Sequence, residues 1–248
     1  MILNYTQYGD FNTAEHGLIL TREEIGRPET TARSDELGLY GLPSYEDYDI
    51  ARNRRELIFE YVLYDGAQWP AVYDQLTLAI EGRKLPIVRA LEPDYTYIGR
   101  CMIDPFHTSK GKGMITVKVS AEPYKYTDYK TVTMTNQSTK TITPQTGYIT
   151  PAVLTITPTN ALTGLTLKAF ARDRIYRKDE DIVLNAMTSG KPVVIDGEKH
   201  LVTVDGRAGY GSVISQMWEW PSILPERKVV SVTNNAVTIE IKYRGRYI

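Results

Sequence analysis

Two tryptophans one residue apart, in the run Gln216-Met-Trp-Glu-Trp-Pro221, are the side chains whose type and spacing best suit a ligand. On an extended strand, residues i and i+2 share a face, so Trp218 and Trp220 would stand side by side. There they could stack on a sugar ring, plug a partner's pocket, or serve as core material. The other candidates are thinner. His16, His107 and His200 stand apart from one another and from the single cysteine, Cys101, so no spacing brings metal ligands together. No Gly-x-Ser-x-Gly elbow marks a nucleophilic serine, and no pair of carboxylates is set out for general acid and base work. Lys110-Gly-Lys-Gly113 is basic and glycine-rich but lacks the spacing that wraps phosphates, and reads as a loop between strands. Asp179-Glu-Asp181 lacks the alternating oxygen ligands of a calcium loop and reads as a solvated turn beside Arg172, Arg174, Arg177 and Lys178. No catalytic residue, metal or cofactor is expected.

The elements around these residues are mostly short strands. Arg52–Leu63 has a basic start and strand-forming residues up to the turn at Asp65-Gly66. Behind Pro70, the residues Trp69, Val72, Tyr73, Leu76, Ala79 and Ile80 recur at helical spacing, which predicts one amphipathic helix stopping near Gly82. Strands follow at 85–91, 95–103 and 113–121, the last ending in a Pro123/Tyr124 hinge that opens a second, threonine-rich strand region. The segment from Leu3 to about Gly41 shows little periodicity and reads as an arm or long loop. The second half predicts strands at 152–157, 164–170 and 181–186. One hairpin pairs Val193–Ile195 with Leu201–Val204 around Asp196-Gly197, and another joins 228–233 to 236–243 through Asn234-Asn235. Regular short strands between turn residues indicate antiparallel sandwiches.

Length and composition set the frame. At 248 residues, 42% hydrophobic and 24% charged, the chain suits two ordinary globular domains. Tyrosine is over-represented, 18 against 4 phenylalanines, which suits half-buried strand faces and wet interfaces. The net charge of −1 gives no general grip on nucleic acid. Through Tyr126 there are 14 Lys and Arg against 19 Asp and Glu, and beyond it 15 against 11, so the halves differ in sign. That asymmetry serves either docking of neighbouring subunits or merely two solvated surfaces. No basic, apolar leader opens the sequence and no stretch reaches the roughly 20 apolar residues of a membrane span, so a soluble protein made in a cytoplasm is expected. Cys101 reads as a small buried apolar residue.

Several phrases in order carry a resemblance. Arg54-Arg-Glu-Leu-Ile-Phe-Glu-Tyr-Val-Leu63, the Trp69 helix ending in Glu-Gly-Arg83, Glu92-Pro-Asp-Tyr-Thr-Tyr-Ile-Gly-Arg100 and Ala121-Glu-Pro-Tyr-Lys-Tyr126 resemble the N-terminal domain of siphophage distal tail (Dit) proteins. The Ile195-Asp-Gly-Glu198 turn, Trp220-Pro-Ser-Ile-Leu-Pro225 and the final Val237-to-Tyr247 strand are similar to that family's C-terminal domain. The resemblance implies a mainly β chain of two domains: residues 1–130 as a sandwich-like, ring-forming domain with one helix, and 131–248 as an outer, galectin-like antiparallel β-sandwich.

It further implies a structural, non-enzymatic hub in the virion, made in the host cytoplasm. A homohexameric ring at the distal end of a long non-contractile tail would join the tail tube protein to the tail-tip protein. The tape measure protein and DNA would pass through without sequence-specific binding, and receptor-binding proteins could attach outside. No membrane insertion is implied. Arg54 and Arg55, with the N-terminal segment, are the expected ring contacts; Trp218 and Trp220 are the expected outer-domain contacts with a partner or sugar. The alternative function is a carbohydrate-binding module for host cell-wall recognition.

Overall fold

Buried and more exposed positions alternate along Arg55–Leu63, placing Leu57, Phe59, Tyr61 and Leu63 on one face. That period of two is the expected signature of a half-buried strand. The structure is a computed structural model that describes residues 5–28, 30–32, 50–65, 68–105, 107–109, 112–172 and 178–248. The chain is mainly β and forms two compact units, Met1–Asp128 with Ile248, and Tyr129–Tyr247.

In the first unit, Arg55–Leu63 pairs antiparallel with Gly113–Ala121, which pairs on its other side with Glu92–Ile103. The sheet continues through Lys84–Arg89 and Thr6–Tyr8 to Phe11–Asn12 at one edge, and through Ile19–Ile25 at the other. Two long-range pairs show that this sheet curls. The Tyr8 and Tyr61 hydroxyls share a 2.8 Å hydrogen bond, and Arg89 Nη2 lies 2.6 Å from Glu23 Oε1. Each pair spans four strand steps, a separation of about 19 Å on a flat sheet. Curling brings the ends together around one core. The helix Trp69–Ile80 fills it with Val72, Leu76 and Ile80, one helical face at i, i+4 and i+8.

Two expectations for this unit change. The segment expected as an arm is built into the sheet over its described residues 5–25, supplying strands Thr6–Tyr8, Phe11–Asn12 and Ile19–Ile25 and a 3₁₀ turn at Thr13–His16. Their side chains are short of hydrophobic alternation because two of these strands are sheet edges, with one covered side to satisfy. The Pro123/Tyr124 hinge does not end a strand either. Lys112–Thr135 is one 24-residue strand, and the register jump between Ala121 and Lys125 is a bulge that absorbs Pro123, whose missing N–H breaks no ladder bond there.

Cys101 is fully buried in this core, as expected. Burial and the charge of Glu81 push its thiol up to about 12. Burial likewise raises the phenols of Tyr8, Tyr61 and Tyr97 above their ordinary value. A group whose folded pKa is raised contributes stability that is complete below its unfolded pKa and lost as pH climbs toward the folded one. The melting temperature is therefore expected to hold to about pH 8 and fall progressively above it, since free thiols and phenols ionise from roughly 8.5 and 10. Ellman's reagent at pH 8 should leave the native thiol unmodified and react fully in guanidinium, because the thiolate is the attacking species; rapid reaction of the native chain would contradict this burial.

The second unit is an antiparallel sandwich. One sheet runs Arg207–Ala208, Leu201–Val204, Val193–Asp196, Thr150–Pro158, Val237–Tyr247 and then the end of the long strand. The other runs Thr139–Ile142, Lys228–Val232, Leu165–Arg172, Asp179–Leu184 and Ile214–Gln216. Leu154, Ile156, Ile239 and Ile241 of the first meet Leu167, Phe170, Ile182 and Val230 of the second in one core. The Val193/Leu201 hairpin is as expected, with Asp196 Oδ1 accepting from the Glu198 and Lys199 amides. The hairpin expected at Asn234-Asn235 is not formed. Lys228–Val232 and Val237–Tyr247 lie in opposite sheets, so the turn arches across the core, held by a 2.9 Å bond from the Ala236 amide to Asn234 Oδ1. Both strands bury alternate residues, a pattern that two facing sheets satisfy as well as one paired ladder.

Candidate functional site

The strand start at Arg54-Arg55 leads into the most polar interior of the first unit. Arg54 is exposed, whereas Arg55 is buried, 4% exposed, because in-register pairing with Ala121 turns it onto the core face. Its Nε donates 3.0 Å to the Pro123 carbonyl, Nη2 donates to the same oxygen, and its guanidinium lies 5.4 Å from the centre of the Tyr97 ring. Arg55 is thus committed within its own unit, and Arg54 is the member of the expected contact pair that faces solvent.

Next to Arg55 a charged network closes the curled sheet. Arg89, 8% exposed, pairs with Glu23 at 2.6 Å and Glu92 at 2.7 Å; Lys125 reaches the other Glu92 oxygen at 2.6 Å, and the Tyr97 hydroxyl donates to Glu92 at 2.8 Å. Burial opposes the charge on Glu92, but the bonds from Lys125 and Tyr97 and the charges of Lys125 and Arg89 prevail and hold its pKa below the usual range. Burial and the acceptor Glu92 push Tyr97 up to about 12. For Arg55 burial is the dominant influence and lowers its pKa. Arg55, Arg89, Glu92, Tyr97 and Lys125 line an open cleft of about 650 Å³. Sequence reasoning did not find it, because its members come from five separated segments; the signal was the alternation that put two arginines and a tyrosine on inward-facing strand positions.

The tryptophans do not share a face. The strand Ile214–Gln216 stops before them, and residues 217–220 are irregular, so the i, i+2 rule of an extended strand does not apply. Trp218 is 76% exposed. Trp220 packs against the core, stacked on His200 at 4.8 Å and tilted toward Tyr210 at 6.3 Å. Tyr210, Ile214 and Trp218 border a shallow depression of about 320 Å³.

The remaining candidates resolve as ordinary structure. His16 stacks on Phe11 at 4.1 Å, and His107 opens a short strand paired with Met114. No group of three or more His, Cys, Asp or Glu side chains converges among the described residues. Lys112 and Gly113 begin the long strand, while Lys110 and Gly111 lie outside the described residues. Asp179–Asp181 is the start of a strand, not a turn: Asp179 pairs with Lys228 at 2.6 Å, and Glu180 with Lys178 at 3.2 Å, while Arg174 and Arg177 lie outside the described residues.

Residues 145–247 match the family model of the siphovirus-type tail component, C-terminal domain, and bear out the resemblance read from the sequence phrases. No curated protein sequence matches the chain. Among solved structures, the chain is similar to the SPP1 Dit (gp 19.1) protein, described as a paradigm of the hub adsorption apparatus in phages infecting Gram-positive bacteria. That likeness has a TM-score of 0.76 at 12% identity and covers 99% of both chains. A weaker likeness, TM-score 0.46 at 9% identity, covers 96% of this chain and 97% of a chain of the phage p2 baseplate in its activated conformation with Sr. The first of these establishes a shared fold along the whole chain.

Proposed function

We propose that this chain is a structural hub of a siphophage tail: a homohexameric ring at the distal end, between the tail tube protein and the tail-tip protein, through which the tape measure protein and DNA pass. The observation that carries the reading is the SPP1 Dit fold over 99% of both chains, joined to the tail-component family match at residues 145–247. Residues 1–130 would build the ring and 131–248 lie outside it, where receptor-binding proteins could attach; no catalysis is assigned.

A closed ring needs two different surfaces on each subunit. Supporting this, both edges of the first unit's sheet come from the N-terminal segment: Phe11–Asn12 and Ile19–Ile25 each have one partner strand among the described residues. The longer edge carries Arg22 paired with Glu24 and Glu60, a charged rim that discourages indiscriminate strand pairing while leaving a charge-matched neighbour acceptable. The solvent-facing Arg54 lies at the start of the strand beside it. Native mass measured over a concentration range, with negative-stain imaging, is expected to give a sixfold species with a central hole. Arg54→Glu, at an exposed position, should weaken it while leaving the circular dichroism unchanged. A chain that stays monomeric even with its tail tube and tail-tip proteins would overturn the proposal.

The second reading, carbohydrate binding by the outer unit, is favoured by one observation, the 76% exposure of Trp218 beside Tyr210. Glycan-array signal that disappears in Trp218→Ala, with the circular dichroism unchanged, would support it; an array without signal would dismiss it.

A further inference from the structure

The solvent face of the first unit's sheet carries an apolar row. Ile19, Val62 and Met114 stand directly opposite one another on three neighbouring strands, because Val62 is in register with both of the others. Their sequence neighbours Leu18, Tyr61, Leu63 and Ile115 belong to the core, so alternation turns the row outward, where Ile19 and Met114 are exposed. Beside the row, Lys112 sets its Nζ 4.7 Å from the centre of the exposed Tyr64 ring and forms no ion pair among the described residues. The other side of the unit presents a knob. Helix Trp69–Ile80 directs Val72, Leu76 and Ile80 into the core and so turns Leu78 away from it, 77% exposed and the most exposed large apolar side chain among the described residues. Asp74, one turn earlier on the same outer stripe, is exposed and likewise forms no ion pair among the described residues.

We propose that Leu78 of one copy of this chain seats on the Ile19, Val62 and Met114 row of the next, with Asp74 reaching Lys112. The contact rests on the ring reading above and names two surfaces that would meet. A single exposed leucine is ordinary, whereas an apolar row rimmed by polar groups marks an interaction site. Three strands place the ends of the row about 10 Å apart, a flat seat wide enough for one leucine and its flanking turn of helix. A second copy is the occupant because this chain carries both halves of the complement: an apolar knob beside a carboxylate and an apolar seat beside an ammonium. The two halves lie on different surfaces, one on the sheet and one on the far side of the helix, as a head-to-tail contact in a closed cycle requires. The seat also begins at Ile19, the first residue of the charged edge strand, so the two stretches of surface are continuous.

The full chain should be cross-linked with a short bismaleimide at pH 7, in whichever form gives the sixfold mass, alone or with its tail partners. Leu78→Cys and Met114→Cys combined in one chain are expected to yield a ladder of products up to the hexamer. Either substitution alone should yield none, and the parent, whose single cysteine is the buried Cys101, is the blank. Asp74→Lys and Lys112→Glu should each weaken the ring by about tenfold, and their combination should recover most of the loss, with the circular dichroism unchanged throughout. A sixfold species without the paired cross-link, a cross-link in either single variant, or a double reversal as weak as the single ones would each overturn this contact and leave the ring reading standing. A chain that stays monomeric even with its tail tube and tail-tip proteins would overturn both.

Discussion

Arg89→Leu is expected to lower the stability of the chain by about 3–5 kcal/mol, the usual cost of removing one partner from a buried ion pair. Arg89 is 8% exposed and, from near one end of the curled sheet, holds Glu23 of the opposite edge strand and Glu92 of the central strand. Without it Glu92 retains Lys125, but Glu23 has no second cation among the described residues, and a leucine supplies no donor to either. Urea unfolding should show a lower midpoint with an unchanged slope. Because the folded pKa of Glu92 is depressed, the network's contribution is present above the ordinary carboxylate value and lost as pH falls through the folded one. The penalty of the variant should therefore be larger at pH 7 than at pH 3. Glu23→Gln combined with Arg89→Leu should cost less than the two single changes together, since the second removes a charge that the first leaves stranded. A loss under about 1 kcal/mol would place the pair in the class of surface ion pairs and refute its role in closing the sheet.

Phe59→Ala is expected to be as damaging, about 3–5 kcal/mol, from lost burial and the cavity left behind. Phe59 is 0% exposed, sits in register between Val117 and Glu23 on the two neighbouring strands, and meets Tyr8 edge to face at 5.9 Å. Deleting the ring also removes the surface against which Tyr8 is held for its bond to Tyr61. Phe59→Leu, which keeps most of the volume, should cost less than half as much, and Tyr61→Phe about 1 kcal/mol, the value of one buried hydrogen bond. If the alanine variant unfolded at nearly the same urea concentration as the parent, the core would be able to collapse around the gap. The curled sheet would then not be the rigid wall that two end-to-end bridges imply.

These two side chains also explain how the cleft is made. Arg55, Leu57, Phe59 and Tyr61 alternate along one strand, so the face that builds the core delivers Arg55 inward at its first residue. There the bulge at Ala121–Lys125 swings the Pro123 carbonyl into reach and brings Lys125 to Glu92. Gly99 permits the same crossing, since a Cβ there would lie 2.4 Å from Val119 Cγ1. The charged network and the apolar core are two ends of a single packing arrangement.

How much of this could be read from the residues follows the range of the interactions involved. Strand Arg55–Leu63, helix Trp69–Ile80 and the Val193/Leu201 hairpin were legible because their signals are local: a period of two, a period near 3.6, and an Asp-Gly turn. The order of phrases through the chain carried the tail-component likeness for the same reason, each phrase being a local segment. What the sequence by itself determined is therefore the inventory of elements, their mainly antiparallel β character, and the family resemblance. Tertiary structure alone decided which elements meet. It sent the strands flanking Asn234-Asn235 to opposite sheets, carried one strand through Pro123, turned Trp218 out and Trp220 in, and drew Glu23, Arg55, Arg89, Glu92 and Lys125 together. Those outcomes depend on partners tens of residues away. Alternation tells a strand which of its faces to bury, whereas the identity of what covers that face is settled only when the whole sheet curls and packs.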